Sequence, residues 1–234
     1  MSPHKGFISK NAHARSMRNL GRPRPHRTPR CTILIICEGK KTEPQYFRSL
    51  RCELRLSSIE VEVCGGECGT DPVSLVTYAR DRRQEQERLF RRGEAARYDE
   101  VWCVLDTESY RQVGPRKLFD AMKMACDNAI NMAVSNPCFE YWLILHFEKT
   151  GQALHNSKGA VARLKKHLRD YSKGTDVFNR VYPHTNEAIQ WAGDILRSQW
   201  QDVANPALRD PSTQVHLLVQ QLLKVASEAS AGAS

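Results

Sequence analysis

The sequence predicts an α/β fold, in which a parallel, doubly wound sheet of about four strands is flanked by helices and followed by a helical extension. Strand-like and helical patterns alternate between residues 32 and 147, and only helical patterns follow residue 150. Two of the strands also end on acidic residues, Glu38 and Asp106. Because parallel strands bring their carboxyl ends to one edge of a sheet, these acids are expected to share a site.

Four segments are predicted to be strands. Residues 32–37 (TILIIC) and 100–105 (EVWCVL) are short apolar runs, which are typical of buried strands. Residues 59–63 (IEVEV) alternate between apolar and acidic side chains, which indicates one solvated face and a position near an edge. Residues 129–134 (AINMAV) form the fourth predicted strand.

The remaining ordered segments are predicted to be helices from capping residues and apolar spacing. Thr42 and Asp71 are the predicted N-caps of the first two helices, and a proline follows each in the first turn. Glu43 is assigned to the N-terminus of the first helix rather than to a metal. The predicted helices span residues 43–56, 72–96, 115–128, 139–147, 157–171, 184–202 and 212–229.

Length and composition indicate one globular domain with appended segments. The 234 residues are 41% hydrophobic but contain no apolar run that could span a bilayer, so we expect a cytoplasmic protein without a membrane contact. Cys64 and Cys68 are interpreted as part of a turn, because no second Cys/His pair at zinc spacing accompanies them. The predicted organisation is a disordered arm over 1–30, an α/β core over 31–150, a helical extension over 151–229 packed on the core, and a flexible tail over 230–234.

Nearly all of the net charge of +9 lies in the first 30 residues, which contain eight Lys or Arg and no Asp or Glu. The rest of the chain carries 27 basic and 26 acidic side chains. Such an arm is either a solubilising tail or an electrostatic arm that binds nucleic-acid phosphates and releases their counterions. We favour the second interpretation, with Arg22, Arg24, Arg27 and Arg30 as candidate contacts.

The acid-tipped strands predict a metal site. Glu38 follows the first strand, and Asp106 and Glu108 follow the third. Carboxylates within about 4 Å repel by roughly 4 kcal/mol at an effective dielectric near 20, so such a cluster holds a cation or keeps a proton. Oxygen ligands without His or Cys favour Mg²⁺ or Mn²⁺. Taken singly, an acid that follows a strand is more often a helix cap or a solvated turn residue than a metal ligand.

Other residues join this candidate site. Lys40 and Lys41 follow Glu38 after one glycine and are expected to neutralise phosphate charge. Glu140 lies near the start of the predicted helix 139–147, which a Ser-Asn-Pro turn directs toward the sheet edge. His146 and Trp142, on the same helix, are interpreted as core residues.

Three segments of the chain resemble RloB-like proteins, a family associated with restriction and phage-defence loci. They are residues 35–47 (IICEGKKTEPQYF), 101–106 (VWCVLD) and 135–147 (SNPCFEYWLILHF), with a weaker match near 205–219, and together they span about residues 30 to 223. The acids are also similar to those of a TOPRIM domain, the metal-binding fold of topoisomerases, bacterial primases and overcoming-lysogenization-defect nucleases. Its pattern is a Glu after the first strand and a DxD after a later one.

The resemblance implies a TOPRIM-like sheet and a Mg²⁺- or Mn²⁺-dependent nuclease that hydrolyses RNA or DNA in antiphage defence or abortive infection. It makes Glu38, Asp106 and Glu108 metal ligands. Glu108 replaces the second Asp of the pattern, which leaves the number of metal ions open. Together with Lys40 and Glu140, these acids form the expected catalytic set.

Two other functions stay open. A non-catalytic nucleic-acid-binding or assembly subunit would work with a separate ATPase encoded nearby, by analogy with related defence systems. The chain itself has no Walker motif, because Leu34 stands where a P-loop needs its first glycine. Nucleotidyl transfer uses similar acids but lacks a recognisable nucleotide-binding partner domain here. The oligomeric state is open, and a homo-oligomer is one alternative.

Overall fold

A five-stranded sheet organises the protein in the computed structural model, which describes residues 31–63, 71–110, 114–200 and 209–231. The strand order is β2-β1-β3-β4-β5; β1 to β4 are parallel, and β5 is antiparallel to β4. The predicted α/β fold is confirmed, and the predicted parallel pairing holds for β1 to β4 but not for β5. The strands are β1 (Ile33–Cys37), β2 (Ile59–Val63), β3 (Glu100–Asp106), β4 (Asn131–Asn136) and β5 (Ser212–Thr213).

The sheet has one strand more than the predicted four. The additional strand, β5, contains only two residues and lies within the segment that was predicted to be helical from residue 212. Ser135 pairs with Thr213, and their hydroxyl oxygens are 3.0 Å apart. A two-residue strand is too short to produce a period-two pattern, so the sequence could not distinguish it from the start of the following helix.

Eight α-helices lie within the described ranges. The prediction missed the short α6, and α5 ends at Leu164 rather than at residue 171. The predicted cap at Asp71 is confirmed, since its carboxylate accepts hydrogen bonds from the Val73 and Ser74 N–H groups. The helices are α1 (Thr42–Glu53), α2 (Pro72–Arg91), α3 (Pro115–Asp127), α4 (Glu140–Ile144), α5 (Ser157–Leu164), α6 (Phe178–Val181), α7 (Thr185–Trp200) and α8 (Val215–Ala231).

The predicted cap at Thr42 is wrong. Helix α1 begins at Thr42, and its N-cap is Lys41, whose side chain makes no capping hydrogen bond within the described part of the chain. The first N–H groups of this helix therefore need another acceptor, and Glu43 in the first turn supplies a carboxylate.

Helices cover both faces of the sheet. All five side chains of β1 are buried, and they divide between two hydrophobic clusters. The Leu34 face packs with α2 and α3, whereas the Ile35 face packs with α1, α4 and the C-terminal helices. Trp142 and Leu222 belong to this second cluster, so residues beyond 150 share a core with the sheet. None of the helices in the described ranges is long and apolar enough to cross a membrane.

Candidate functional site

The carboxyl ends of β1 and β3 bring two acids together. Cys37 is opposite Val104 in the parallel register, and the next N–H along β1, that of Glu38, donates to the Val104 carbonyl at 3.0 Å. The N–H of Asp106 in turn donates to Glu38 Oε2 at 3.3 Å. The two residues predicted from acid-tipped strands therefore lie in contact at one edge of the sheet.

Two further acids, Glu43 and Glu140, reach the same place from helices. Glu43 lies in the first turn of α1 and is 6% exposed, and Glu140 is the first residue of α4 and is 2% exposed. The four carboxylates surround a cleft of about 300 Å³. The cleft is lined by Glu38, Gly39, Lys40, Lys41, Thr42, Glu43, Asp106, Phe139, Glu140 and Lys173.

Gly39 allows the Glu43 carboxylate to fold back over the loop. A Cβ atom at position 39 would lie 2.1 and 2.3 Å from the two carboxylate oxygens of Glu43, far inside van der Waals contact. The group that approaches this glycine so closely is a side chain of the protein itself. Glu43 therefore serves both the helix terminus and the cleft.

Burial and repulsion between carboxylates raise the pKa of two of these acids, Asp106 and Glu43. Burial, followed by the charges of Glu43, Glu140 and Glu38, raises the pKa of Asp106 well above its usual range. Burial, with added repulsion from Glu140 and Glu38, raises the pKa of Glu43 to about 7. Asp106 Oδ1 is also buried and has no hydrogen-bond partner among the described residues. The cleft thus contains negative charge that a cation or a proton would stabilise.

A loop between α5 and α6 supplies a cation that the sequence analysis missed. Lys173 is exposed and lines the cleft. Partial desolvation of its ammonium group lowers its pKa, but Glu140 and the other nearby acids outweigh this effect and raise it. The same loop is held by Tyr171, whose hydroxyl donates to Glu140 Oε1 at 3.0 Å. Gly174 adopts a φ of +90°, and a Cβ there would lie 2.8 Å from Lys41 Cδ. A lysine in a polar loop carries no sequence signal for this role.

The structure places Glu108 outside the lining of the cleft. After Asp106 the chain turns into a 3-10 helix, Glu108–Tyr110, instead of continuing the alternation of a strand. The Glu108 carboxylate accepts the Ser157 N–H at 2.8 Å and so serves the N-terminus of α5. Lys40 and Lys41 line the cleft as exposed side chains. The predicted contacts Arg22, Arg24, Arg27 and Arg30, and the Cys64–Cys68 turn, lie outside the described residues.

His146 and Trp142 are core residues, as their apolar surroundings predicted. His146 is 2% exposed, and its Nδ1 lies 2.9 Å from the Trp142 carbonyl oxygen. The rings meet edge to face at 4.7 Å, and burial lowers the pKa of His146 to about 3. Neither ring lines the acidic cleft.

The donor set of the cleft fits a hard cation. The acidic side chains that line it are all Asp or Glu, and Asp106 Oδ1 is a buried oxygen without a partner among the described residues. Carboxylate oxygens of this kind suit Mg²⁺ or Mn²⁺. Within the described ranges, no three His, Cys, Asp or Glu side chains form a ready-made metal site. Carboxylate side chains would therefore have to rotate to complete a coordination shell.

These features define a class: a doubly wound α/β protein with an acidic cleft outside the carboxyl ends of its parallel strands. The chain belongs to the family of RloB-like proteins, whose sequence profile matches residues 33–222. This match confirms the family resemblance inferred from the three sequence segments. Comparisons with curated proteins and with solved structures gave no match.

Proposed function

We propose that the protein is a Mg²⁺- or Mn²⁺-dependent nuclease of the TOPRIM type, which hydrolyses phosphodiester bonds of RNA or DNA. The observation that carries this proposal is the cleft itself. Glu38, Asp106 and Glu140 converge there, and Lys40 and Lys173 line the same cleft. Acids that hold a cation and lysines that hold a phosphate are the groups that phosphodiester hydrolysis requires.

The acids and the lysines of the site would have different roles. The four carboxylates of the cleft would hold the cation, which would supply Lewis-acid stabilisation of charge on the phosphate. In the hydrolysis a water oxygen forms a bond to phosphorus, one P–O ester bond breaks, and the leaving oxygen takes up a proton. Lys40 and Lys173 would contact the non-bridging phosphate oxygens, where negative charge accumulates.

The TOPRIM assignment rests on Glu38 and Asp106 rather than on a complete acidic triplet. Both acids follow parallel strands, as the pattern requires. Because Glu108 is engaged at the N-terminus of α5, we propose that Glu140 and Glu43 supply the oxygens that the second Asp supplies in other TOPRIM sites.

Antiphage defence is the proposed setting, and it is supported by membership in the RloB-like family. In this setting the nuclease would act together with an ATPase encoded nearby. The basic segment at residues 1–30 would add affinity for the nucleic acid.

A second candidate is a nucleic-acid-binding or assembly subunit without catalytic activity. It is favoured by the finding that no three potential ligands are preassembled among the described residues. The two candidates differ in their response to a cation. A nuclease that binds Mg²⁺ or Mn²⁺ in the cleft is stabilised by the ion, whereas the binding subunit shows no thermal shift with either ion.

The proposed function is tested by incubating the purified protein with tRNA, single-stranded RNA and plasmid DNA, with Mg²⁺, with Mn²⁺ and with EDTA. We expect cleavage of at least one substrate only when a divalent cation is present, and loss of cleavage in Glu38→Gln. The variant Glu187→Gln is the control, because it removes an exposed acid that does not line the cleft. Equal cutting by Glu38→Gln and wild type would remove Glu38 from the mechanism.

Replacement of Lys173 by Ala is expected to lower kcat/KM by about tenfold to a hundredfold. A hydrogen bond to a charged group contributes about 1.5–3 kcal/mol, and each 1.4 kcal/mol corresponds to about a factor of ten. Lys173→Arg should recover part of the activity, because it keeps the positive charge. Lys166→Ala, which removes an exposed lysine outside the cleft, should change little. Equal effects of Lys173→Ala and Lys166→Ala would contradict the role of Lys173.

A further inference from the structure

A second cleft, of about 630 Å³, lies at the opposite end of the sheet from the acids. Its lining includes Tyr98 and Asp99, which immediately precede β3, whereas Asp106 ends that strand. Seven strand residues at about 3.3 Å each separate the two ends by roughly 23 Å. We call this surface the arginine cleft; it is lined by Arg83, Gln84, Glu87, Arg88, Arg91, Arg97, Tyr98 and Asp99.

The arginine cleft is lined by four guanidinium groups and two acids, and a third acid, Glu85, pairs with Arg88, so the net charge of these groups is positive. The side chains of Arg88, Arg91 and Arg97 are 70%, 76% and 62% exposed. Each pairs with an acid at the surface, at 3.1, 3.0 and 4.0 Å respectively. Exposed pairs of this kind contribute only about 0–1 kcal/mol, so a phosphate can replace the acid at little cost.

Part of this surface is already positioned. Arg83 donates through Nη1 to the carbonyl oxygens of Asn128 and Ala129, at 2.9 and 2.8 Å, which fixes its guanidinium group at the cleft wall. Arg83 and Arg91 are eight residues apart on α2, which at 1.5 Å per residue spans about 12 Å along the helix. Guanidinium groups spread over this length suit a ligand with several successive anionic groups.

An aromatic side chain lies beside the arginines. Phe90 is 44% exposed, and the Arg97 guanidinium carbon lies 5.8 Å from its ring centroid. Exposed aromatic rings next to cations are typical of surfaces that stack the bases of a single strand while binding its phosphates. An acidic peptide would use the arginines but has no need of the ring.

The basic N-terminal segment does not suit the cleft as an occupant. The chain enters the fold at this end, because the Thr32 N–H donates to Asp99 Oδ2 at 2.8 Å. The preceding 30 residues carry eight cations and no acid, so they repel the arginines instead of neutralising them. The charge of the cleft thus calls for an anion from outside the chain.

We propose that the arginine cleft binds the phosphate backbone of single-stranded nucleic acid and forms an anchoring site separate from the acidic cleft. The choice of nucleic acid as the ligand class rests on the proposed function. Binding at this site needs no divalent cation, because the arginines supply all the positive charge. A nucleic-acid strand that occupied both clefts would run from one end of the sheet to the other.

The test compares two triple variants that remove the same charge. The first is Arg88→Gln, Arg91→Gln and Arg97→Gln; the control is Lys123→Gln, Lys165→Gln and Arg197→Gln, which are exposed side chains outside both clefts. Binding of a fluorescently labelled oligouridylate is measured in EDTA over a series of KCl concentrations. Each lost contact to a single strand lowers the salt slope by about 0.7, so the cleft variant should show a slope smaller by about 2, and the control an unchanged slope.

The outcomes separate this inference from the proposed function. Equal changes in both triple variants, or no change in the cleft variant, would overturn the anchoring site. Displacement of the RNA by polyglutamate as effectively as by unlabelled RNA would assign the cleft to acidic polypeptides instead. If the wild type cuts no substrate but the slopes differ as expected, the nuclease proposal fails and the anchoring site stands.

Thermal unfolding midpoints of the variants verify that they are folded. The single variant Arg88→Gln should lower the salt slope by about 0.7.

Discussion

Asp106→Asn is expected to abolish nuclease activity while making the metal-free protein more stable above neutral pH. The loss of activity should be at least about 100-fold, because loss of even an outer-shell partner of a metal costs 10–100-fold. The gain in stability follows from the pKa of Asp106, which burial and then Glu43, Glu140 and Glu38 raise. Asn keeps the shape of the side chain and removes the charge that these neighbours repel.

The sign of the stability change follows from proton linkage. The folded protein holds the Asp106 proton more tightly than the unfolded chain does, so the free energy of unfolding of the wild type falls as pH rises through the folded-state pKa. The Asn variant has no such loss. Thermal unfolding in EDTA at about pH 8, together with cleavage assays in Mn²⁺, measures both effects.

Asp120→Asn, at an exposed position on α3, is the matched control and should change neither property. Substitution of a residue that only maintains the fold would lower the activity and the stability of the protein together. Loss of both in Asp106→Asn would therefore contradict a catalytic role, and unchanged activity would exclude Asp106 from the site.

The part of the site that the sequence predicts is the part that follows from sheet topology. Glu38 and Asp106 lie at the ends of apolar strands, and parallel pairing brings these ends together whatever the loops do. Glu140 was assigned for a similar reason, since the turn before it aims α4 at the same edge.

The rest of the site depends on backbone turns that have no periodic signal. Glu108 follows Asp106 by two residues, which suggested a shared direction, but a 3-10 helix redirects its side chain to Ser157. Lys173 reaches the cleft from a loop far away in sequence, and Tyr171 holds that loop through Glu140. Glu43 enters the cleft because Gly39 leaves room for its carboxylate.

Glu43→Gln is expected to remove a pH-dependent loss of stability of about 3 kcal/mol from the metal-free protein. Burial, with repulsion from Glu140 and Glu38, raises the pKa of Glu43 from 4.5 to about 7. Between these two pH values the folded state binds more protons than the unfolded chain, so the free energy of unfolding falls as pH rises and is constant above the higher value. Gln keeps the shape of the side chain and does not titrate.

The measurement is the unfolding free energy in EDTA between about pH 5 and 8, for wild type and Glu43→Gln. The buried His146 titrates with the opposite sign, because its pKa is lowered to about 3, but it is present in both proteins and cancels in their difference. Glu187→Gln removes an exposed acid from the first turn of α7 and controls for the helix terminus.

Mg²⁺ or Mn²⁺ should reduce the pH dependence of the wild type, since a cation in the cleft replaces the proton that Glu43 otherwise holds. Parallel pH profiles for wild type and Glu43→Gln would show that Glu43 ionises freely, and the cleft would then have no need of a cation to stabilise its charge.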